Sequence, residues 1–392
     1  MSELLLLATL VTAIAIGWFL GRRSRNSQKK QLHSQSTQLN KDYFTGLSYL
    51  LNDQQDQAIE TFMRVLEINP ETIDTHIAMG NLFRSKGETE KAIRLHQNLF
   101  ARPTLSKALT QQVQLELARD FQAAGLLDRA ERLLIELSDA VSPDIQQQSQ
   151  LLLIKIYEQE KEWQQAITIS DSRLLKERPQ HRTAVAHYYC EQAEQLIEKG
   201  EYGQAKKLLK QALYNDPQCI RANWTSAEIE FKNNSNRKAR SILLRIPEQD
   251  PRFYSMVLPK VAPLLNQKEL HKLLDTAIEA YPSRTAIGLK MKLLSEELGI
   301  QTAIEFLEQL IDRKKLRAPF LAARSLEQIA AQLTPGVLKH RLETLEELLN
   351  RHETTNHASR CMQCGFKSGL SELWQCPRCR SWGTIRPDDA VS

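Results

Sequence analysis

The sequence predicts an all-α protein, a solenoid of helix pairs with a single membrane-spanning helix before it and a small metal-binding segment after it. Three observations predict this arrangement. Small residues and prolines recur at a spacing of 34 residues, glycine and proline are scarce at 14 each in 392 residues, and four of the six cysteines lie close together near the C-terminus. So few glycines and prolines favour helix over sheet.

The N-terminus carries an apolar run, Leu4 to Leu20, without a charged residue. Its 17 residues are at the short end of what spans the roughly 30 Å core of a bilayer. A cleaved signal peptide has positive charges before its apolar run, whereas here five follow Gly21 and none precedes Leu4. Residues 1–21 are therefore predicted to form an anchor with the N-terminus outside and the body in the cytoplasm.

Residues 22–38 are predicted to form a short basic tether next to the membrane. Its five cations equal the whole formal net charge of +5, so the remaining chain sums to zero. These cations are Arg22, Arg23, Arg25, Lys29 and Lys30. A nucleic-acid-binding surface across the body is therefore not indicated. Two isolated cysteines, Cys190 and Cys219, are typical of buried thiols in a reducing compartment.

The helix pairs are predicted over residues 39–352. A spacing of 34 residues is the period of the tetratricopeptide repeat, a pair of antiparallel helices. In the first unit Gly46 and Ala58 let the helices approach closely, and Pro70 ends the pair. The positions 34 residues apart are Gly46 and Gly80, Ala58 and Ala92, Ala205 and Ala239, and Pro217 and Pro251. About six units are clear, and up to nine are counted with the degenerate ones.

An alanine in the second helix sets further units in register. Ala92, Ala130 and Ala166 occupy this position, with the core aromatics Phe83, Phe121, Tyr157 and Trp163 nearby. Longer turns such as Ser138 to Asp144 absorb the wider spacings, and Trp224 is predicted to be core. Beyond Pro251 helical spacing continues over Val261 to Leu274, Ala286 to Leu310 and Ala322 to Leu349, the last broken at Pro335. Such an array presents a concave face suited to a peptide or a protein.

The cysteine cluster is predicted to bind one metal ion. Cys361, Cys364, Cys376 and Cys379 form two Cys-x-x-Cys knuckles, which can bring four thiolates to one tetrahedral ion, either zinc or iron. Residues 358–386 hold too little apolar mass for a core, so metal binding has to supply folding free energy, on the order of 10 kcal/mol. Disulfides or free thiols are the alternatives. Gly365 is predicted to make a tight turn, and Trp374 and Trp382 to cover the second knuckle.

Motifs of common enzyme sites do not occur in the sequence. His352 and His357 are five residues apart, whereas the helical metalloprotease motif needs four. The phosphate loop, the dinucleotide-binding glycine motif and the nucleophile elbow are absent. The nine histidines are scattered, as surface or satisfied core residues are. These motifs therefore give no support for an enzyme.

The order of these parts resembles the lipopolysaccharide assembly protein B family. The resemblance rests on the apolar anchor followed by Arg22-Arg23, the array opening Tyr43–Asn52, the stretches Gly80–Arg84 and Ala92–Asn98, and the C-terminal cysteines with Trp374 and Trp382. It covers nearly the whole chain. It implies a rubredoxin-like iron site on Cys361, Cys364, Cys376 and Cys379.

The same resemblance implies that the chain is a regulator of lipopolysaccharide biosynthesis at the inner membrane and not an enzyme. Members act as adaptors that help the membrane protease FtsH degrade the deacetylase LpxC, and an inner-membrane protein restrains them. The residues alone leave two alternatives open. Iron in four thiolates is a one-electron carrier, which suggests a tethered rubredoxin-type electron-transfer protein. Five cations around the knuckles suggest a zinc-ribbon nucleic-acid binder, although such cations also offset the charge of four thiolates on a divalent ion. These are Arg360, Lys367, Arg378, Arg380 and Arg386.

Overall fold

The computed structural model describes residues 73–103, 105–175, 179–312, 358–370 and 372–390, with a few isolated positions between 45 and 61 and residue 336. The chain separates into two compact units, Met1–Ile156 and Tyr157–Ser392. The predicted anchor 1–21, the tether 22–38 and the predicted helices over Ala322 to Leu349 lie outside the described residues. Among the helices that are described, none has the length and apolar character needed to cross a membrane.

The described chain is a succession of α-helices that ends in three short strands, as predicted for a tetratricopeptide solenoid with a C-terminal knuckle. The helices are α1 Ile73–Ser85, α2 Thr89–Phe100, α3 Lys107–Ala123, α4 Leu127–Glu136, α5 Pro143–Glu160, α6 Trp163–Ser170, α7 Pro179–Glu198, α8 Tyr202–Asn215, α9 Ile220–Lys232, α10 Asn236–Leu244, α11 Ile246–Gln249, α12 Tyr254–Val261, α13 Gln267–Ala280, α14 Arg284–Leu298 and α15 Ile300–Asp312. Short 3₁₀ turns occupy Leu137–Asp139, Pro251–Phe253 and Ala262–Leu264. The strands are β1 Ser359–Cys361, β2 Lys367–Ser368 and β3 Ile385–Pro387.

The same turn joins the two helices in five of the described pairs. The first helix ends at a residue with positive φ, and the next N–H bonds back to a carbonyl five residues earlier, the Schellman arrangement. Glycine allows this conformation at Gly87, Gly125 and Gly200. Lys161 (φ 59°) and Asn234 (φ 55°) adopt it without being glycine. The closing hydrogen bonds are Glu88 to Phe83, Leu126 to Phe121, Glu162 to Tyr157, Glu201 to Leu196 and Ser235 to Glu230, at 2.8–2.9 Å.

The predicted alanine register is confirmed. Each of these alanines lies in the second helix of a pair and is fully buried. A small side chain is needed there, because a larger one would hold the helices apart. The alanines are Ala92, Ala130, Ala166, Ala205 and Ala239, and Ala303 in α15 is buried in the same way. The predicted core residues Phe83, Phe121, Tyr157, Trp163 and Trp224 are also buried, as are the thiols Cys190 and Cys219.

The first unit contains a buried ionic network between α1, α2 and α3. His96 and Asp120 are fully buried and bonded to each other through His96 Nδ1. Arg84 reaches the same carboxylate at 2.6 Å and Glu116 at 2.7 Å. Gly80 lies directly against the imidazole of His96. The network therefore satisfies this buried histidine, as predicted, whereas Nδ1 of the buried His187 has no hydrogen-bond partner among the described residues.

Two stretches with helical spacing are each divided into two elements in the second unit. Between Val261 and Leu274 the chain leaves the helical conformation, and Asn266 caps α13 by accepting from the N–H of Glu269 at 2.8 Å. Between Ala286 and Leu310, Gly299 adopts φ 91° and separates α14 from α15. Both breaks are caused by local turns and helix caps, which cannot be detected from the spacing of hydrophobic residues.

Candidate metal centre

The two cysteine knuckles have the same backbone geometry. After each Cys-x-x-Cys comes a residue with positive φ, Gly365 (72°) and Arg380 (56°). The N–H groups of these residues donate to the carbonyls of Cys361 and Cys376 at 3.0 and 2.8 Å. The tight turn predicted at Gly365 is therefore present, and Arg380 makes its counterpart.

The four sulfur atoms converge on one point. All lie within 4.8 Å of one another, with Cys361 Sγ 3.7 Å from Cys379 Sγ and Cys364 Sγ 3.6 Å from Cys376 Sγ. A tetrahedron of sulfurs around an ion at about 2.3 Å has edges of about 3.8 Å, so the donor set fits one tetrahedral ion. The sulfurs are far beyond the roughly 2.05 Å of a disulfide, and all four thiols are free. Zinc and iron fit this donor set equally.

Hydrogen bonds to sulfur adjust the acidity of these thiols. Burial raises the pKa of Cys361, but the Thr384 hydroxyl and the N–H groups of Cys364 and Gln363 outweigh it and lower the pKa to about 6. Burial raises the pKa of Cys376 to about 12. The Ser381 hydroxyl lowers the pKa of Cys379. A bound cation would favour the thiolate form of every cysteine. The N–H and hydroxyl donors would then stabilise the thiolates together with the cation.

A small sheet with the order β2-β1-β3 holds the first knuckle. Both pairings are antiparallel, with Arg360 opposite Lys367 on one side and opposite Arg386 on the other. The apolar interior is minimal. Cys361, Cys376 and Ile385 form it, with Phe366 and Leu373 packed partly against them. The described segment, residues 358–370 and 372–390, therefore has the small apolar interior that the sequence predicts. We call this segment the metal module.

Trp382 attaches the metal module to the helices. Its indole N–H donates to Glu158 Oε1 at 2.6 Å, and the Tyr188 hydroxyl donates to the same oxygen at 2.7 Å. The ring stacks on His187 at 5.2 Å between centroids and meets Trp163 and Tyr188 edge-on at 6.1 and 5.9 Å. Trp382 is thus surrounded by side chains of α5, α6 and α7.

Two ionisable side chains next to Trp382 each keep a fixed charge state, His187 as a neutral ring and Arg221 as a paired cation. Burial, followed by the charges of Arg221 and Arg386, lowers the pKa of His187 to about 3, so this imidazole is neutral at pH 7. Arg221 of α9 lies over the Trp382 ring at 6.0 Å and pairs with Glu191 at 2.8 Å and Glu194 at 2.7 Å. A neutral ring and a neutralised cation therefore line the pocket that receives the indole.

Arg386 makes a second attachment on strand β3. Its guanidinium pairs with Asp250 at 2.6 Å and lies 5.7 Å from the centre of the Phe253 ring. Asp250 also holds Arg252 at 2.8 Å. Burial of Asp250 opposes ionisation, but the hydrogen bonds and charge of Arg252 and the charge of Arg386 lower its pKa overall. Arg386, one of the five cations near the knuckles, is thus committed to the interior of the protein.

The chain end makes a third attachment. Asp389 accepts from the N–H and the hydroxyl of Thr285 at 3.0 and 2.7 Å, at the start of α14. Its carbonyl accepts from the N–H of Arg284 at 3.1 Å, and Ala390 pairs with Ser283 in an isolated β-bridge. The chain is thus attached to the helices as far as Ala390.

The two tryptophans do not cover the second knuckle, and that prediction was wrong. Trp382 lies among helices, and Trp374 packs against the helical core that contains Trp224 and Val261. An indole offers a large apolar area, and the helices have aromatic partners for it, whereas the small interior of the module does not. Sequence reasoning missed the partners Glu158, His187 and Asp250, because no motif marks them.

Comparisons with known proteins agree with this architecture. Tetratricopeptide repeat models match residues 43–72, 75–104 and 196–257, and the model described as "Rubredoxin metal binding domain" matches residues 360–387. The chain is 30% identical to lipopolysaccharide assembly protein B of Escherichia coli K12, covering 99% of this chain and 98% of that protein. The Haemophilus influenzae protein of the same name is 32% identical, again over 99% and 98%.

Among solved structures, PilF of Pseudomonas aeruginosa matches 56% of this chain and 94% of its own at 19% identity, with a TM-score of 0.32. At that score the match carries no argument about function.

Proposed function

Because the chain belongs to the lipopolysaccharide assembly protein B family, we propose that it is a non-catalytic adaptor that regulates lipopolysaccharide synthesis by presenting the deacetylase LpxC to the membrane protease FtsH. One observation supports an adaptor above all. The metal module packs on the first helices of successive pairs, where it contacts Glu158, Tyr188 and Arg221. The helices and the module therefore form one continuous surface. Surfaces of this kind in repeat proteins hold other proteins.

The anchor, the tether and the repeats predicted from the sequence have separate roles in this proposal. We propose that residues 1–21 anchor the protein in the inner membrane with the N-terminus in the periplasm, and that residues 22–38 tether the cytoplasmic repeats of 39–352. Confining adaptor and protease to one membrane raises their effective concentration to roughly the millimolar range without new contacts. The family resemblance also implies an inner-membrane protein that restrains this adaptor.

The proposed metal ligands are Cys361, Cys364, Cys376 and Cys379. A bound ion would fix the two knuckles and so hold Trp382 and Arg386 in position against the helices. Its chemistry in this role is structural, since it supplies the folding free energy that the small interior lacks. Family resemblance favours iron, and zinc is the alternative.

The half-life of LpxC in cells tests the adaptor function. Depletion of this protein should lengthen it, and restoring the full-length chain should shorten it again. A matched control follows a different FtsH substrate, whose half-life should not change. An unchanged half-life of LpxC on depletion would refute the proposed client.

A further inference from the structure

A cavity of about 600 Å³ lies between the metal module and the helices of the second unit. Its walls come from both parts. Glu158, Glu191 and Glu228 belong to α5, α7 and α9, whereas Glu372, Trp374 and Trp382 belong to the module. Because both walls are needed, the cavity exists only while the module is folded and docked.

The walls of the cavity are negatively charged. Five glutamates and three cationic side chains line it. Arg221, one of these cations, is committed to Glu191 and Glu194. Glu158 accepts only from the neutral donors Tyr188 and Trp382, and Glu372 has neither an ion pair nor a hydrogen bond among the described residues. Glu228 pairs with Lys260 at 3.0 Å. Each wall therefore offers one carboxylate without an ion pair among the described residues, and Lys161 and Arg380 line the same cavity.

Two of the four tryptophans that line the cavity lack a hydrogen-bond acceptor among the described residues. The indole N–H groups of Trp163 and Trp224 are buried without a partner among the described residues, and both side chains line the cavity. Trp163 is 6% exposed and Trp224 3%. A buried donor without an acceptor is costly, so these groups favour a ligand that brings carbonyl oxygens. The rings of Trp224 and Trp382 already have cations over them, Lys260 at 4.5 Å and Arg221 at 6.0 Å, so the indole faces are not counted as sites for the ligand.

We propose that this cavity binds a basic peptide segment of a partner protein, with an arginine or lysine side chain between the carboxylates and backbone carbonyls toward the indole N–H groups. A peptide combines both chemistries in one ligand. The proposal rests on the adaptor function, because it names the class of segment that the adaptor would recognise. The partner is identified by its positive charge only.

The test measures binding of a fluorescein-labelled peptide of alternating arginine and alanine to the full-length, metal-loaded protein by anisotropy. The comparison peptide carries glutamine in place of arginine. We expect binding of the arginine peptide, weakening as ionic strength rises, and much weaker binding of the glutamine peptide. Equal affinity for the two peptides, or binding of neither, would overturn the proposal.

Two substitutions in the cavity and one control outside it test where the peptide binds. Glu372→Gln should weaken binding about three- to fivefold, since the side chain is exposed. Glu158→Gln keeps an acceptor oxygen for Trp382 and should weaken binding about tenfold, since this carboxylate is half-buried. Glu198→Gln, an exposed position on α7 away from the cavity wall, is the matched control and should leave the affinity unchanged. Equal effects of all three would place the peptide elsewhere.

The two proposals fail in different ways. Loss of peptide binding with LpxC turnover still dependent on the protein would remove the basic-peptide site alone. Peptide binding with unchanged LpxC turnover on depletion would leave the site and remove the proposed client. Circular dichroism and metal content of each variant confirm that fold and module are intact.

Discussion

Gly80 and His96 fit together so closely that neither can change alone. A Cβ at Gly80 would lie well within 3.0 Å of the His96 ring. The ring is fully buried and held by Asp120, so it cannot move aside cheaply. This contact explains in physical terms why a small residue is needed at this position of the repeat.

Gly80→Ala should therefore destabilise the first unit by about 1–3 kcal/mol. Gly203→Ala is the matched control, because Gly203 lies in α8 with nothing near its Cβ position, and alanine there should be neutral or stabilising. Thermal unfolding followed by circular dichroism measures both. A Gly80→Ala protein as stable as the parent would show that the imidazole can relocate.

His187 makes the second unit sensitive to acid. In the unfolded chain this histidine takes up a proton near pH 6.5, but in the folded protein its pKa is lowered to about 3. The unfolded state therefore binds more protons between these values, and stability falls as pH decreases through this window. The loss should be on the order of 1 kcal/mol per pH unit.

Urea unfolding between pH 7.5 and 5.5, followed by tryptophan fluorescence, measures this dependence. Trp163, Trp224, Trp374 and Trp382 all lie in the second unit and report on it. His187→Phe keeps an aromatic ring against Trp382 and should flatten the pH dependence. An equally steep dependence in that variant would assign it to other groups.

At the scale of elements, the metal module depends on its knuckles, whereas the helices do not. Cys361→Ser with Cys364→Ser should abolish metal binding and unfold residues 358–390, because the interior is too small to fold alone. The helices of 73–312 should persist. Hydrogen exchange by mass spectrometry and metal analysis would show this, and Cys190→Ser is the control outside the cluster. Slow exchange across the module in the double variant would mean that docking alone folds it.

Elements whose residues follow a local rule could be predicted from the sequence. The alanine register, the aromatic core and the cysteine knuckles were all predicted, because each depends on spacing within one helix pair or one turn. The breaks near Asn266 and Gly299 were not, since caps and turns interrupt helical spacing without altering it. The roles of Trp374 and Trp382 were predicted wrongly, because their partners lie far away in sequence.

At the scale of the molecule, the proposed anchor should matter for activity and not for folding. Deleting Leu4 to Leu20 should leave a helical, metal-loaded protein, because the predicted anchor precedes the predicted repeats and is far in sequence from the four cysteines. LpxC turnover should be weakened, because the adaptor no longer shares a surface with the protease. Replacing the run with an unrelated transmembrane helix tests tethering itself. Full turnover from the deleted protein would remove the tethering argument.

The attachment of Trp382 to Glu158 joins residues 224 positions apart, and that of Arg386 to Asp250 joins residues 136 apart. Contacts so distant in sequence form slowly, because a long loop has to close first, whereas helix pairs need only their neighbours. During synthesis the helices therefore leave the ribosome and fold before the C-terminal module has emerged. Until the last residues appear, the aromatic surface around Trp163 and Tyr188 is uncovered, and the nascent chain is open to chaperones and proteases there.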